Sequence, residues 1–440
     1  MWMQLTARAA SGVRVFVAVA VVLAMVLASG PSARADSKTG ASPKRQGTKS
    51  TVADPEGEPG AGDTPKEGEA KTVEAREVRR ASIETAAYGD SDHVSVFTPS
   101  ISAGIASPAA GITFNAHYLV DVVSAASVDI VSTASRRWSE IRHAGAADVT
   151  YKPGDFGVAL AASFSTEPDY LSIGGGGNLL YDFDQKNFTL LVGYGYGHDT
   201  IGRGGTSFTD FSRSLDKHNL RAGLSMVLSR STVLGLSLEA MIESGDGSKP
   251  YRYVPMFAPG VAPKVPAGAS IDDVTLHRLP ERPLEQLPLL RRRFALTERF
   301  AHRFDASTIR IEERIYDDTW ALRASTTDVR WIFDLGRRWE VWPHGRYHVQ
   351  SPVNFWQRAY VSGGQPGWNL PEFRTGDREL GPLSTVTGGG GIRYYFGSDA
   401  EPKAWSIGAQ SDVMYTSYTD DLYILSRTAI LGVMTLDGEM

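Results

Sequence analysis

The feature that most restricts this chain is a hydropathy period of two, which recurs from about residue 82 onward in segments of about 10 to 14 residues. In the run 219–228, Leu220, Ala222, Leu224, Met226 and Leu228 fall on one face, and Arg221, Gly223 and Ser225 on the other. A strand sends successive side chains to opposite sides, so this is strand periodicity. After Ser229, Arg230 and Ser231 the alternation resumes. Leu234, Leu236, Leu238, Ala240 and Ile242 now oppose Gly235, Ser237, Glu239 and Glu243. The two runs read as a hairpin, and a turn centred on Arg230 sets Arg221 opposite Glu239. The same period returns at 156–164, 188–197, 308–316, 339–350 and 405–416.

A soluble sandwich alternates too, with its apolar residues inward. Three features point instead to a membrane barrel. The runs approach the roughly 9 to 11 residues that a tilted strand needs to cross a bilayer. Aromatics recur at the ends of apolar faces (Tyr118, Tyr151, Tyr181, Phe183, Tyr196, Tyr394, Phe396 and Tyr415), where an interfacial girdle belongs. The chain also opens with an export signal. Arg8 and Arg14 precede the apolar run 15–28, and Ala33-Arg34-Ala35 supplies a cleavage pattern, so residues 1–35 read as a signal peptide cut after Ala35. That apolar run falls short of the roughly 20 residues of a spanning helix.

Residues 36–80 are polar, with almost no large aliphatic or aromatic side chains. They bury too little to offset ordering entropy and are expected to form a disordered periplasmic segment ahead of a barrel over 81–440. With no cysteine, the chain has no disulfide, although export leads to an oxidising compartment. A net charge of -5 argues against a nucleic-acid partner.

Connection lengths carry topology. Long connections fall near 124–138, 199–215, 245–291 and 351–382, and tight turns at 152–154, 229–231, 304–306 and 335–337. Counted from a weak strand at 82–88, the long ones follow odd-numbered strands and the tight ones even-numbered strands. Long loops on one side and short turns on the other is the outer-membrane asymmetry. The reading is an all-β, antiparallel, up-and-down transmembrane barrel of about 16 strands (14–16), with both termini in the periplasm.

The polar faces hold the candidate chemistry. Arg293, Arg299, Arg303, Arg310, Arg314, Arg330 and Arg346 fall on polar faces of neighbouring strands, with Glu312, Asp328 and Glu340 among them. With Arg221, Glu239, His344 and His348 they are the expected lumen-lining set. Bracing by internal ion pairs and guidance of anions are both open readings. His344 and His348 share a face but stand about 13 Å apart, too far to share a metal. His348 with Ser351 is a weak hydrolase pair lacking an identifiable acid. The glycine runs 174–177, 193–197 and 388–391 lack the following helix of a phosphate loop and fit strands that bend or carry no side chain. The acid pairs Asp317-Asp318 and Asp420-Asp421 fit turns better than calcium sites, because Asp bonds nearby backbone donors. Asp121-Val-Val-Ser-Ala-Ala-Ser127 is echoed by Asp129-Ile-Val-Ser-Thr-Ala-Ser135.

The stretch from Tyr118 through Asp121-Val-Val-Ser-Ala-Ala-Ser127, with Tyr316-Asp-Asp-Thr-Trp320 and the strand from Trp342-Pro343 to Gln350-Ser351-Pro352 and Phe355, resembles the bacterial family catalogued as domain of unknown function 3570. The resemblance covers roughly 80 to 440, implies an outer-membrane barrel and adds no catalytic residue. The end of the chain, Leu436-Asp-Gly-Glu-Met440, departs from the aromatic closing residue of many such barrels. The expected function is a passive channel or small-solute transporter. A non-conducting surface barrel that binds a partner or glycan, and a rim hydrolase, are the alternatives. Expected partners are outer-membrane lipid, the barrel-assembly machinery and a small anionic solute, with no cofactor and no metal.

Overall fold

A computed structural model of the protein describes residues 77–125, 138–363, 369–398, 401 and 403–440. Residues 1–35, read above as a signal peptide, nearly all of the polar segment and the echo at Asp129–Ser135 lie outside the described residues.

Sixteen long strands form one closed barrel. They are β1 (Val78–Asp90), β2 (Val94–Ser107), β3 (Ile112–Ala125), β4 (Trp138–Tyr151), β5 (Phe156–Glu167) and β6 (Tyr170–Phe183), then β7 (Phe188–Ile201), β8 (Arg213–Ser229) and β9 (Thr232–Gly245). Next come β11 (Leu290–Arg303), β12 (Ser307–Asp318), β13 (Arg323–Leu335), β14 (Trp339–Gln350), β16 (Leu383–Phe396), β17 (Trp405–Tyr418) and β18 (Ser426–Glu439). The two-residue strands β10 (Met256–Phe257) and β15 (Tyr360–Val361) lie in the two longest connections, with helix α1 (Ile271–His277) in the first of them. Each barrel strand pairs antiparallel with its neighbour in the chain, and β1 closes on β18. The first strand is thus the weak one of the sequence, begun a little earlier at Val78. Closure leaves no free edge, as a chain in hydrocarbon requires.

Parity separates the two surfaces. Ile101, Ile105, Phe114, Leu160, Leu179, Val192, Leu238, Leu296, Val413 and Ile430 are exposed and face the membrane. Aromatics gather near the short turns: Phe183 stacks on Phe188 at 5.1 Å, Trp331 on Phe333 at 5.0 Å, and Trp339 lies 4.6 Å from Tyr394. In the other half, Tyr194 bonds His218 and Tyr196 donates to Asp216. The arrangement is the aromatic girdle of an outer-membrane barrel.

One patch breaks the apolar band. Glu298 stands exposed on the membrane side between Leu296 and Phe300, directly opposite Glu313. Glu313 accepts hydrogen bonds from Ser325 at 2.7 Å and Thr327 at 2.5 Å. Like charges opposite one another cost stability, and hydrocarbon adds to the cost. Glu298→Leu is therefore expected to stabilise the membrane-folded barrel by about 1 kcal/mol. The readout is a higher urea midpoint in phospholipid vesicles; a lower one would mean that protein, not lipid, covers this patch.

The apolar cores lie at the long-loop end. The connection 246–289 and the described residues of the connection 351–382 fold together there as a lid. β10 and β15 pair in parallel, and bridges join Tyr253 to Leu284 and Gln286 to Arg374. Val254, Met256 and Tyr360 form one small core, and Phe257, Ala262, Val265, Ala269, Val274 and Leu422 a second. The lid reaches different sides of the ring. Tyr251 donates to Asp169 in the β5–β6 turn. Gly268 and Ala269 donate to Asp421 and Leu422 between β17 and β18. Arg378 pairs with Asp92 between β1 and β2.

Candidate functional site: the inner wall beneath the lid

The arginine-bearing wall is built by β11 to β14, whose inner positions alternate with the membrane-facing ones. Register stacks these positions in rows. One row runs Arg299, Glu312, Asp328, Arg346 and Thr387 from β11 to β16. The next, nearer the short turns, runs Ala301, Arg310, Arg330, His344 and Gly389.

Most acids here already have partners. Arg293 pairs with Glu243 at 2.6 Å, Arg299 with Glu312 at 2.6 Å, and Arg303 with Asp334. His344 bridges Asp328 at 3.0 Å and Asp412 at 2.7 Å. Glu340 accepts the Tyr395 hydroxyl at 3.0 Å. Arg221 does stand opposite Glu239 in the register. The carboxylate nevertheless pairs with Arg314 at 3.2 Å, reaching past Thr297, whose hydroxyl also accepts from Arg314. The intervening β11 position is small enough to let a long guanidinium cross it.

The glycines act as space rather than as a phosphate loop. A side chain at Gly391 would strike the Trp342 ring, so the glycine lets that indole lie against the wall. Trp342 is buried, and its Nε1 donates to Gln410 at 3.2 Å.

The proposed hydrolase pair is not assembled. His348 contacts Thr326 at 2.7 Å and Gln350 at 3.3 Å. The Ser351 hydroxyl instead accepts from Arg323 N and donates to the Ala321 carbonyl. The acid pairs of the turns do what turn chemistry asks. Asp318 accepts from Trp320 N at 2.9 Å and Leu322 N at 3.0 Å, and Asp421 from Tyr423 N at 3.0 Å and Ile424 N at 3.1 Å.

The lid's polar anchors had no signature in the sequence. Arg252 is buried between Glu285 at 3.3 Å and Asp377 at 2.8 Å. Glu379 sits at the barrel wall beside Arg427, and burial pushes its carboxyl up against the pull of Arg427 and Arg378. Burial raises the Tyr360 phenol to about 12; its hydroxyl donates to the Phe355 carbonyl and accepts from Thr375 N. Near the lid's rim, carboxylate oxygens of Glu140, Glu167 and Asp169 lie within 4.8 Å of one another, part of the oxygen shell a hard cation takes.

The family described as a protein of unknown function, DUF3570, matches residues 36–418. No curated protein matches the chain. Among solved structures, the siderophore receptor PirA from Pseudomonas aeruginosa is 11% identical with a TM-score of 0.41, covering 82% of this chain and 61% of its own. The chain thus spans less than two thirds of that receptor. A bacterial polysaccharide outer membrane secretin is 10% identical with a TM-score of 0.43, covering 84% of this chain and 99% of its own. OccK1 (OpdK) from P. aeruginosa is 7% identical with a TM-score of 0.39, covering 83% and 98%. None of them lends its ligand to this chain.

Proposed function

The chain belongs to the family of proteins of unknown function DUF3570, and for this member we propose a passive outer-membrane channel for small solutes that favours anions. A ring of 16 strands is wide enough to leave an aqueous lumen. The observation that carries the reading is Arg310, a charged inner-wall residue that remains exposed beneath the lid. An arginine open to the bore is solvated there, and charged rings bias which ions pass. The lid's contacts run to the long-loop ends of the strands, which supports a constriction at the outer mouth above an open lower bore.

The test is single-channel recording of the purified mature protein in a planar bilayer, with reversal potentials taken across a salt gradient. Stable openings with a chloride-selective reversal potential are expected. Folded protein without openings would overturn the channel reading in favour of a surface barrel that binds through its lid. Openings with cation preference would overturn the role of the arginines.

A further inference from the structure

Arg310 and Arg330 face each other directly across the β12–β13 pair, with no acid between them. Two side chains so placed stand about 5 Å apart at Cβ, and like charges in that position repel. Among the described residues neither has a hydrogen bond or an ion pair. Their acidic neighbours are held elsewhere: Glu312 by Arg299, Asp328 and Asp412 by His344, Asp334 by Arg303. Arg346, one row nearer the lid, is likewise without an ion pair among the described residues. Arg330 and Arg393 both lie 5.9 Å from the centre of the Trp342 ring, so a further guanidinium borders the same spot. Glu340 attracts Arg310 and Asp412 attracts Arg330 through space without an ion-pair contact, so the two guanidiniums meet with no carboxylate held against either, and Arg310 is open to the bore.

We propose that Arg310 and Arg330, with Arg346 beside them, form a binding site for a small oxyanion, the phosphate or carboxylate group of a solute in the lumen. Guanidinium groups present paired donors that match two oxygens of such a group, and several of them share one anion more readily than a single chloride. The anion relieves the Arg310–Arg330 repulsion as it binds. Trp342 holds the Arg330 side chain to the wall, which lowers the ordering cost on binding. The site relies on the channel reading for its route of access, while binding itself can be measured without transport.

The experiment uses the full mature chain in detergent micelles. Equilibrium dialysis is run with radiolabelled inorganic phosphate and, separately, with radiolabelled succinate. Saturable binding of at least one of them is expected near about 1 mM. Arg310→Gln with Arg330→Gln should weaken it by roughly ten-fold or more, because both paired donors are lost. Arg323→Gln, on the exposed outer side, should leave it unchanged. Circular dichroism checks the fold, and the two single variants decide the matter if the double variant does not fold. Whichever anion binds more tightly names the class. No saturable binding of either, or equal binding by the wild-type and Gln-substituted chains, overturns the site. Bilayer recording of the same preparations keeps the two readings apart. A protein that binds but stays silent refutes the channel alone, and one that conducts but binds neither anion refutes the site alone.

Discussion

Excising residues 254–283 and joining Tyr253 to Leu284 through two glycines is expected to raise the single-channel conductance roughly three-fold or more. Tyr253 and Leu284 are already bridged, so the new join spans a short gap and leaves all 16 barrel strands in place. The cut removes β10, α1 and the backbone bonds from Gly268 and Ala269 to the β17–β18 loop. It also takes away the strand on which β15 pairs, so what remains of the lid loses its inner support. The resistance of a pore in series with a narrow mouth is dominated by the mouth. Clearing the lid should therefore change current far more than any inner-wall substitution. Conductance equal to the parent, from a variant that still folds, would mean that the lid does not restrict flow.

The barrel was legible because each strand reports two solvents at once. Leu220, Ala222 and Leu224 against Arg221 and Gly223 is local information, fixed by backbone geometry, and it sets the register as well. Turn chemistry is local too, which is why the acids at 318 and 421 bond backbone groups within a few residues. The lid is a different kind of object. Its cores join residues from 254–274 to residues near 360 and 422, and its strands are two residues long, too short to show a period. The site stands between these cases. Parity told which side chains share a face, but not which charges meet. Arg221 and Glu239 are in register, yet the partner of Glu239 comes from β12, chosen by reach over Thr297. A hydroxyl three residues from an imidazole also looked like a pair, whereas the strand end turns Ser351 toward Arg323.

The same distinction predicts a sharp contrast between two adjacent acids. Asp318→Ala is expected to destabilise the folded barrel by about 3 to 5 kcal/mol, the usual cost of leaving one member of a buried ion pair without its partner. Arg291 donates to Asp318 from Nε at 2.8 Å and lies against the Trp320 ring at 4.2 Å, with both charged side chains nearly inaccessible. Asp318 also accepts from the Tyr316 hydroxyl at 2.8 Å and from two backbone amides of the β12–β13 turn. Alanine strands a guanidinium and unties the turn together, and Trp320 and Leu322 there belong to the core that seats Val353 and Leu380 of the lid. Asp317→Ala should cost no more than about 0.5 kcal/mol, since its pair with Arg323 at 3.0 Å is exposed on both sides. Urea unfolding from lipid vesicles, followed by tryptophan fluorescence, reads both. A small loss at Asp318 would show that Arg291 finds another acid, and Glu243, paired to Arg293 two positions along β11, is the one within the same wall. Asp318→Asn then separates charge from turn geometry. It keeps an acceptor for the backbone amides while removing the anion, so a loss close to that of alanine assigns the cost to Arg291, and a much smaller one assigns it to the turn.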